Sequence, residues 1–389
     1  MTTTPLDESL DVSRRLTQLR AWQTEWYRID CLLEEQVSRL DGTKLLELQQ
    51  ASHIANVRRR MEMTLVKMPL SIPEQVLRSL GVRRIRELFA QQFASLTKEE
   101  RLLWLNSFIF LMTTDLRQLD DKIAKVRTYR SLGQTRNFLL GGESGMGKTT
   151  YLDWLIFNHM PVVERERNRV PIIGIQAPVS NQTARPLLWR MLLECGQTYV
   201  KSDHEEILLM KLVLYFQQCG VELIVIDEIQ HIQRPELKRR VLEVSNMTRG
   251  IPIICAATHP IEWTQGDAEI KGRWNDFFQL KQYTGPRLDD LLATIELFLP
   301  FSQDSHLHRR EIEGKPGPAT LIEQWTGGIL RDIMILIRDA CRRAIEGSQA
   351  SLQPEILEAS WKDIQTKQVT DFLSLVRQRE TRAAPHGNS

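Results

Sequence analysis

The run Phe138-Leu139-Leu140-Gly141-Gly142-Glu143-Ser144-Gly145-Met146-Gly147-Lys148-Thr149-Thr150-Tyr151 decides how this chain is read. From Gly142 to Thr149 it follows the spacing G-x-x-x-x-G-K-[ST] in full. Glycines at these positions let consecutive backbone N–H groups turn inward and cradle phosphate oxygens. A lysine at position 148 reaches the β- and γ-phosphates of a nucleoside triphosphate, and the Thr149 hydroxyl is a ligand for Mg²⁺. The apolar Phe138 to Leu140 predicts a buried strand before the loop. Tyr151 to His159 predicts an amphipathic helix after it, whose N-terminal end adds a positive dipole. The sequence therefore predicts ATP bound with Mg²⁺ by Gly142, Glu143, Ser144, Gly145, Met146, Gly147, Lys148, Thr149 and Thr150.

Working outward, Pro171-Ile172-Ile173-Gly174-Ile175, Leu223-Ile224-Val225-Ile226 and Ile251-Pro252-Ile253-Ile254-Cys255-Ala256 are further short, continuous apolar runs. Helical stretches such as Leu187 to Leu193 and Glu206 to Gln217 separate them. Short buried strands alternating with helices predict an α/β fold, a parallel sheet covered on both faces. Such a sheet places its ligand at the carboxyl ends of the strands. The run from Leu223 delivers Asp227 and Glu228 to that edge. Asp227 is expected to hold the Mg²⁺ through water, and Glu228 to polarise the water that attacks the γ-phosphate. Two carboxylates ending a strand are common as exposed charges; their place after a phosphate-binding loop in the same sheet gives them chemistry. The Ile251 strand ends in Thr258-His259. Thr258 either contacts the γ-phosphate or its attacking water, or simply caps the strand. His259 is given no catalytic role, because phosphoryl transfer mainly needs charge stabilisation and positioning.

Two arginines stand out by position. Arg273, in Glu269-Ile270-Lys271-Gly272-Arg273-Trp274, sits in a polar helix shortly after Thr258, with Lys271 as its competitor for any role. Arg331 follows Thr326-Gly327-Gly328-Ile329-Leu330 at a helix start. Most arginines are solvated surface charges, so position alone leaves both open.

Four segments are expected: 1–104, 105–287, 288–360 and 361–389. Residues 1 to about 130 read as helical, with Leu10, Leu16, Leu19, Trp22, Trp26, Ile29 and Leu33 drawing one apolar stripe. Asp41-Gly42 breaks it, and a second helix runs from Lys44 to about Met63. Ser71-Ile72-Pro73-Glu74 and Thr97-Lys98-Glu99-Glu100 match the capping box, and Gly81 is expected to end the first of those helices. No chemistry is visible there; the stripe is core or a partner-docking face. After Leu288 the pattern is helical again, with Leu291, Leu292, Ile295 and Leu299 on one face, as a lid after the α/β core. The tail from Arg377 is polar and expected to be disordered.

The 389 residues, 42% hydrophobic and 26% charged, suit a globular protein of two or three domains. Five cysteines are scattered singly, without metal-ligand spacing, and read as buried thiols. The N-terminus lacks the basic and apolar regions of a signal peptide, and no apolar run approaches the ~20 residues that span a bilayer. The expected location is cytoplasmic, with no membrane partner. A net charge of +2 demands no nucleic acid, so any DNA surface would be local.

The order of phosphate loop, Asp227-Glu228 strand, Thr258 strand, downstream Arg273 and Gly327-Gly328-Ile329-Leu330-Arg331 resembles an AAA+ ATPase: a three-layer α/β sandwich with a C-terminal helical lid. The Thr326 to Arg331 stretch is similar to the lid of the initiator clade that includes Orc/Cdc6. Within AAA+, Gly142 to Thr150, Val225-Ile226-Asp227-Glu228-Ile229-Gln230-His231-Ile232 and Ile251 to Thr258 most resemble the TniB/TnsC transposition regulators. The resemblance covers about residues 105–345. It implies an ATP-dependent homo-oligomer, a helical filament or ring, on double-stranded DNA without sequence preference. It further implies a bridge between a target selector of the TniQ/TnsD type and a transposase of the TnsA/TnsB type, with hydrolysis driving disassembly. Arg273 becomes an arginine finger for a neighbouring subunit, and Arg331 a contact to the nucleotide in cis. Phosphate-directed donors are sought in Ser180, Asn181, Thr183 and Arg185, and in Arg234, Lys238, Arg239 and Arg240, against the plainer reading of solvated helix faces. Two other readings stand: an Orc/Cdc6-like initiator or helicase loader, and a STAND-like signalling ATPase. The short tail argues against the latter, which usually carries a long repeat region.

Overall fold

The computed structural model describes residues 11–21, 74–105, 111–131, 136–159, 162–163, 168–179, 183–197, 203–248 and 250–367. The expected break at Asp41-Gly42, the helix from Lys44, the Ser71 capping box, Ser180, Asn181 and the tail lie outside them. The chain divides into two compact units, one containing residues 112–282 and the other the remaining described residues.

The first unit is built on a five-stranded, all-parallel sheet. Its strands are β1 (Phe138–Gly142), β2 (Ile172–Gln176), β3 (Leu223–Asp227), β4 (Ile253–Ala256) and β5 (Asp276–Leu280), in the order β2-β3-β4-β1-β5. Every residue of β1, β3 and β4 is buried, as expected of strands covered on both faces. The register pairs Gln176 with Asp227, Ile226 with Cys255, Leu140 with Ala256 and Gly142 with Leu280. The carboxyl ends of the strands therefore share one edge. Helix α4 (Lys148–Phe157) leaves β1 and packs across β2 so closely that a Cβ on Gly174 would lie 2.1 Å from Ile156 Cδ1. Helices α5 (Arg185–Glu194), α6 (Glu205–Gln218) and α7 (Pro235–Met247) add to the covering layers with Leu188, Met191, Leu212, Phe216 and Val241, all buried. Helix α3 (Thr114–Ser131) is tied on by Tyr151 Oη donating to Asp120 (2.9 Å) and by Lys122 donating to the Phe277 carbonyl (2.7 Å). Two short helices, α8 (Pro260–Trp263) and α9 (Ala268–Arg273), lead into β5.

β5 is absent from the runs singled out above. Asp276-Phe277-Phe278-Gln279-Leu280 is an edge strand with four half-buried residues, so it lacks the continuous apolar stretch that marks a strand buried on both sides.

The second unit contains the helices after the core, α10 (Pro286–Glu296), α11 (Pro318–Thr326) and α12 (Leu330–Glu346), with a further helical segment over residues 354–367. It also takes in residues 12–21, α1 (Glu74–Ala94) and α2 (Lys98–Leu105). Residues 12–21, α1 and α2 thus fall in one compact unit with the helices that follow the core. Phe89, Phe93 and Trp104 form an aromatic cluster with Phe298, and Trp104 Nε1 donates to the Phe298 carbonyl (2.8 Å). Arg86 is buried; it donates to the carbonyls of Leu299 (3.3 Å), Phe301 (3.1 Å) and Gln303 (2.8 Å) and pairs with Asp304 (2.9 Å). A buried guanidinium is tolerated because so many of its donors are satisfied. The Thr97 capping box forms as read: Glu100 N–H donates to Thr97 Oγ1 (3.2 Å) and Thr97 N–H to Glu100 Oε2 (3.1 Å). Gly81 (φ 74°, ψ 154°) breaks the helical path, but a new helix resumes directly after it. Gly328 (φ 77°) passes so near the chain at Tyr283 that a Cβ there would lie 2.4 Å from the Tyr283 carbonyl oxygen. Only glycine suits both that conformation and that approach.

Candidate nucleotide site

The loop after β1 winds through Gly145 (φ 86°) and Gly147 (φ 88°), conformations that glycine adopts without strain. Gly142 packs on β5, where a Cβ would meet Leu280 Cβ at 3.1 Å. Gly147 is the N-cap of α4 and has no side chain to accept from the first-turn N–H groups. Those donors and the helix dipole are what an anion meets there. Lys148 is 7% exposed and donates from Nζ to the carbonyls of Gly142 (2.6 Å) and Glu143 (3.1 Å). Burial pushes its ammonium below the usual lysine range, while the charges of Asp227 and Glu228 pull it back up. A cation kept in so dry a place is one whose interaction with a phosphate is little screened by water. Glu143, the first variable loop residue, is itself held by Gln282 Nε2 (2.8 Å).

Thr149 Oγ1 donates to Asp227 Oδ2 (2.6 Å), which brings the hydroxyl and the carboxylate together across 78 residues of sequence. A hard divalent cation binds such an oxygen pair with phosphates and water completing its shell, so these residues fit Mg²⁺. Asp227 uses its other oxygen to accept from Glu228 N–H (2.9 Å). Glu228 sits in the left-handed region (φ 56°, ψ 40°), a costly conformation for a residue with a side chain. Its carboxylate accepts from Gln230 Nε2 and lies 4.0 Å from His231 Nε2. Thr258 follows β4 at the same edge, one residue past Ala257, whose N–H donates to the Leu140 carbonyl (3.0 Å). Gly142 to Thr150, Asp227, Glu228 and Thr258 thus converge on the carboxyl edge of the sheet.

Arg273 and Lys271 do not. Both are exposed in the last turn of α9, just before β5 begins. Because β5 runs parallel to β1 with Asp276 beside Phe138, they lie at the amino edge of the sheet. The intervening strand length is ~13 Å at ~3.3 Å per residue. Arg331 belongs to the other unit; it is exposed and pairs with Asp332 (3.1 Å).

The basic run after Asp227-Glu228 does not present three cations together. Lys238 is buried: its Nζ donates to the Trp263 carbonyl (2.5 Å) and lies over that indole ring, and burial lowers its pKa. Arg240 is held among Glu243 (2.5 Å), Glu205 (3.3 Å) and Glu206 (3.9 Å). Arg239 keeps a guanidinium that is 72% exposed, 3.3 Å from Asp267. Thr183 is exposed, and Arg185 opens α5 half-buried. The helical period explains the split, since position 238 turns inward with Leu237 and Val241 while 239 turns out. The contacts of Gln230 and Gln282 carry no sequence signal, because they depend on where a turn and a strand end come to rest.

Residues 101–284 match the family model described as "Bacterial TniB protein". No curated protein matches the chain. Among solved structures the chain is similar to the Aeropyrum pernix ORC2 protein in its ADP form, with 15% identity, 67% of this chain and 71% of that chain covered, and a TM-score of 0.51. The ADPNP-ADP complexes of the same protein give 15% identity, 68% and 71% coverage, and a TM-score of 0.50. At such identity the likeness is one of fold, and the fold is that of the AAA+ ATPases. No helix among the described residues is long and apolar enough to cross a membrane.

Proposed function

We propose, from a chain whose residues 101–284 match the bacterial TniB family model, that this protein is a DNA-transposition regulator driven by ATP. It binds ATP with Mg²⁺, assembles head to tail on double-stranded DNA, and releases that assembly on hydrolysis. Lys148 holds the β- and γ-phosphates, Thr149 and Asp227 hold the metal, Glu228 takes a proton from the attacking water, and Thr258 orients that water. Mg²⁺, when bound, neutralises charge that builds on the phosphates. The partners are a target selector of the TniQ/TnsD type and a transposase of the TnsA/TnsB type, with Thr183, Arg185 and Arg239 as the donors offered to DNA phosphates.

One observation carries the oligomeric part of this reading. Arg273 stands at the amino edge of the sheet, while Lys148, Asp227 and Glu228 stand at the carboxyl edge. An arginine there serves the site of the next subunit, where it stabilises charge on the transferring phosphoryl group. Arg273→Ala is expected to bind ATP but lose turnover by ~10³-fold or more. Mixing it with Glu228→Gln, which contributes an intact Arg273, restores measurable phosphate release. A mixture as inactive as its two components would remove the role in trans, and the same mixing with Lys271→Ala decides between the two cations.

Electron microscopy with an ATP analogue and duplex DNA tests the output. Continuous filaments coating the DNA are expected, with affinity falling as salt rises because phosphates supply the contacts. Rings that form equally well without DNA would favour a loader or remodelling ATPase instead.

A further inference from the structure

Gln230 rises from the 3-10 turn Ile229–His231, directly after the strained Glu228. The turn is fixed on its inner side by Ile229 and Ile232, both buried. It is fixed on its backbone by Trp263 Nε1 donating to the Ile232 carbonyl (2.8 Å) and Gln233 Nε2 donating to the Gln230 carbonyl (2.5 Å). From this base the Gln230 amide donates from Nε2 to Glu228 Oε2. A carboxylate can only accept, so this contact settles which end of the amide is nitrogen and turns Oε1 away from it. That Oε1 is buried and has no partner among the described residues. A buried carbonyl oxygen left so costs ~1–3 kcal/mol unless a donor arrives.

Glu228 donates its N–H to Asp227 Oδ1 (2.9 Å), and Asp227 Oδ2 accepts from Thr149 Oγ1 (2.6 Å), so Glu228 stands beside the helix that leaves the phosphate loop. We propose that Gln230 is a positioning residue for hydrolysis, whose Nε2 holds the Glu228 carboxylate and whose Oε1 accepts from the water that Glu228 polarises. A water between these two acceptors directs one proton to each and leaves an oxygen lone pair for phosphorus. As the new P–O bond forms, the bond from the γ-phosphorus to the bridging oxygen breaks and its electron pair leaves with ADP. The water's proton passes to Glu228. The inference rests on the reading of Glu228 as the group that polarises water.

The test uses the full chain carrying Gln230→Met, which keeps the volume and removes both polar ends. Its kcat is expected to fall ~10- to 100-fold, the scale of a misplaced reacting group. Affinity for a non-hydrolysable ATP analogue and the melting temperature should stay at the parent's values. Gln230→Glu keeps an acceptor but replaces the donor with a like charge, and it should lose at least as much turnover. Parental or faster turnover in either variant overturns the inference. So does a loss of kcat matched by weaker analogue binding and a lower melting temperature, which would mark a structural role. Glu228→Gln measured alongside separates the two levels. Parental hydrolysis there would remove the underlying reading, whereas stalled Glu228→Gln beside normal Gln230→Met removes only this step.

Discussion

Glu228→Gln is expected to keep ATP bound and to hydrolyse it ~10²- to 10⁴-fold more slowly, the range a positioned general base contributes. Glutamine has nearly the same shape, so the left-handed backbone at position 228 and the N–H donated to Asp227 Oδ1 (2.9 Å) are retained. Lys148, Thr149 and Asp227 are untouched, and they are the groups assigned to phosphate and metal. What is lost is an acceptor able to take a proton. Chromatography of the nucleotide recovered with the protein reads the result directly, as ATP from the variant and ADP from the parent. On the proposed reading, the ATP-bound variant also stays assembled. Recovery of ADP from both at the same rate would show that Glu228 does not act on water.

Lys148→Met acts one step earlier. Its ammonium is buried, donates to two loop carbonyls, and is pushed below the usual lysine range by burial. Removing one partner of a desolvated charged contact costs ~2–5 kcal/mol, or at least ~30-fold in ATP affinity. The variant protein without nucleotide should melt close to the parent, since the lost carbonyl contacts are offset by the relief of a buried charge. The rise in melting temperature on adding ATP, expected in the parent because ligand binds only the folded state, should disappear. Assembly should disappear with it. Persistence of the ATP-induced rise would mean that Lys148 does not reach phosphate. Equal assembly by Lys148→Met and Glu228→Gln would separate the loop from oligomerisation altogether.

The parts of this molecule that were legible in the sequence are those fixed by local physics. Gly142 to Thr149 is a backbone device that needs its residue types in one order. The runs at Phe138, Leu223 and Ile253 are apolar because both faces of a central strand are covered, and the edge strand from Ile172 is buried through its first four residues as well. β5 was not legible because its first four residues are half exposed and include the polar Asp276 and Gln279. The run Lys238-Arg239-Arg240 read as one basic cluster because sequence counts charges before the helix sorts them to different faces. The alliance of Phe89, Phe93 and Trp104 with Phe298 joins segments about two hundred residues apart, and no local pattern announces such a partner. Gln230 shows the same limit at short range. Two residues from a carboxylate already singled out, it gains its place only from the left-handed turn at Glu228.

The parallel pairing of β1 with β5 has an arithmetic consequence for any assembly that uses it. Arg273 leads into one end of the strand pair and the phosphate loop leaves the other, so a stack of subunits has two chemically unlike termini. A closed circle of subunits would complete every site. An open row must leave one terminal member with ATP but no neighbour's arginine, and the opposite member with an arginine that serves nobody. On the proposed role of Arg273 in trans, the terminal ATP is expected to be long-lived, a cap that protects one end while interior sites fire. Loss of subunits from such a row has a direction, set by the strand polarity of a single sheet.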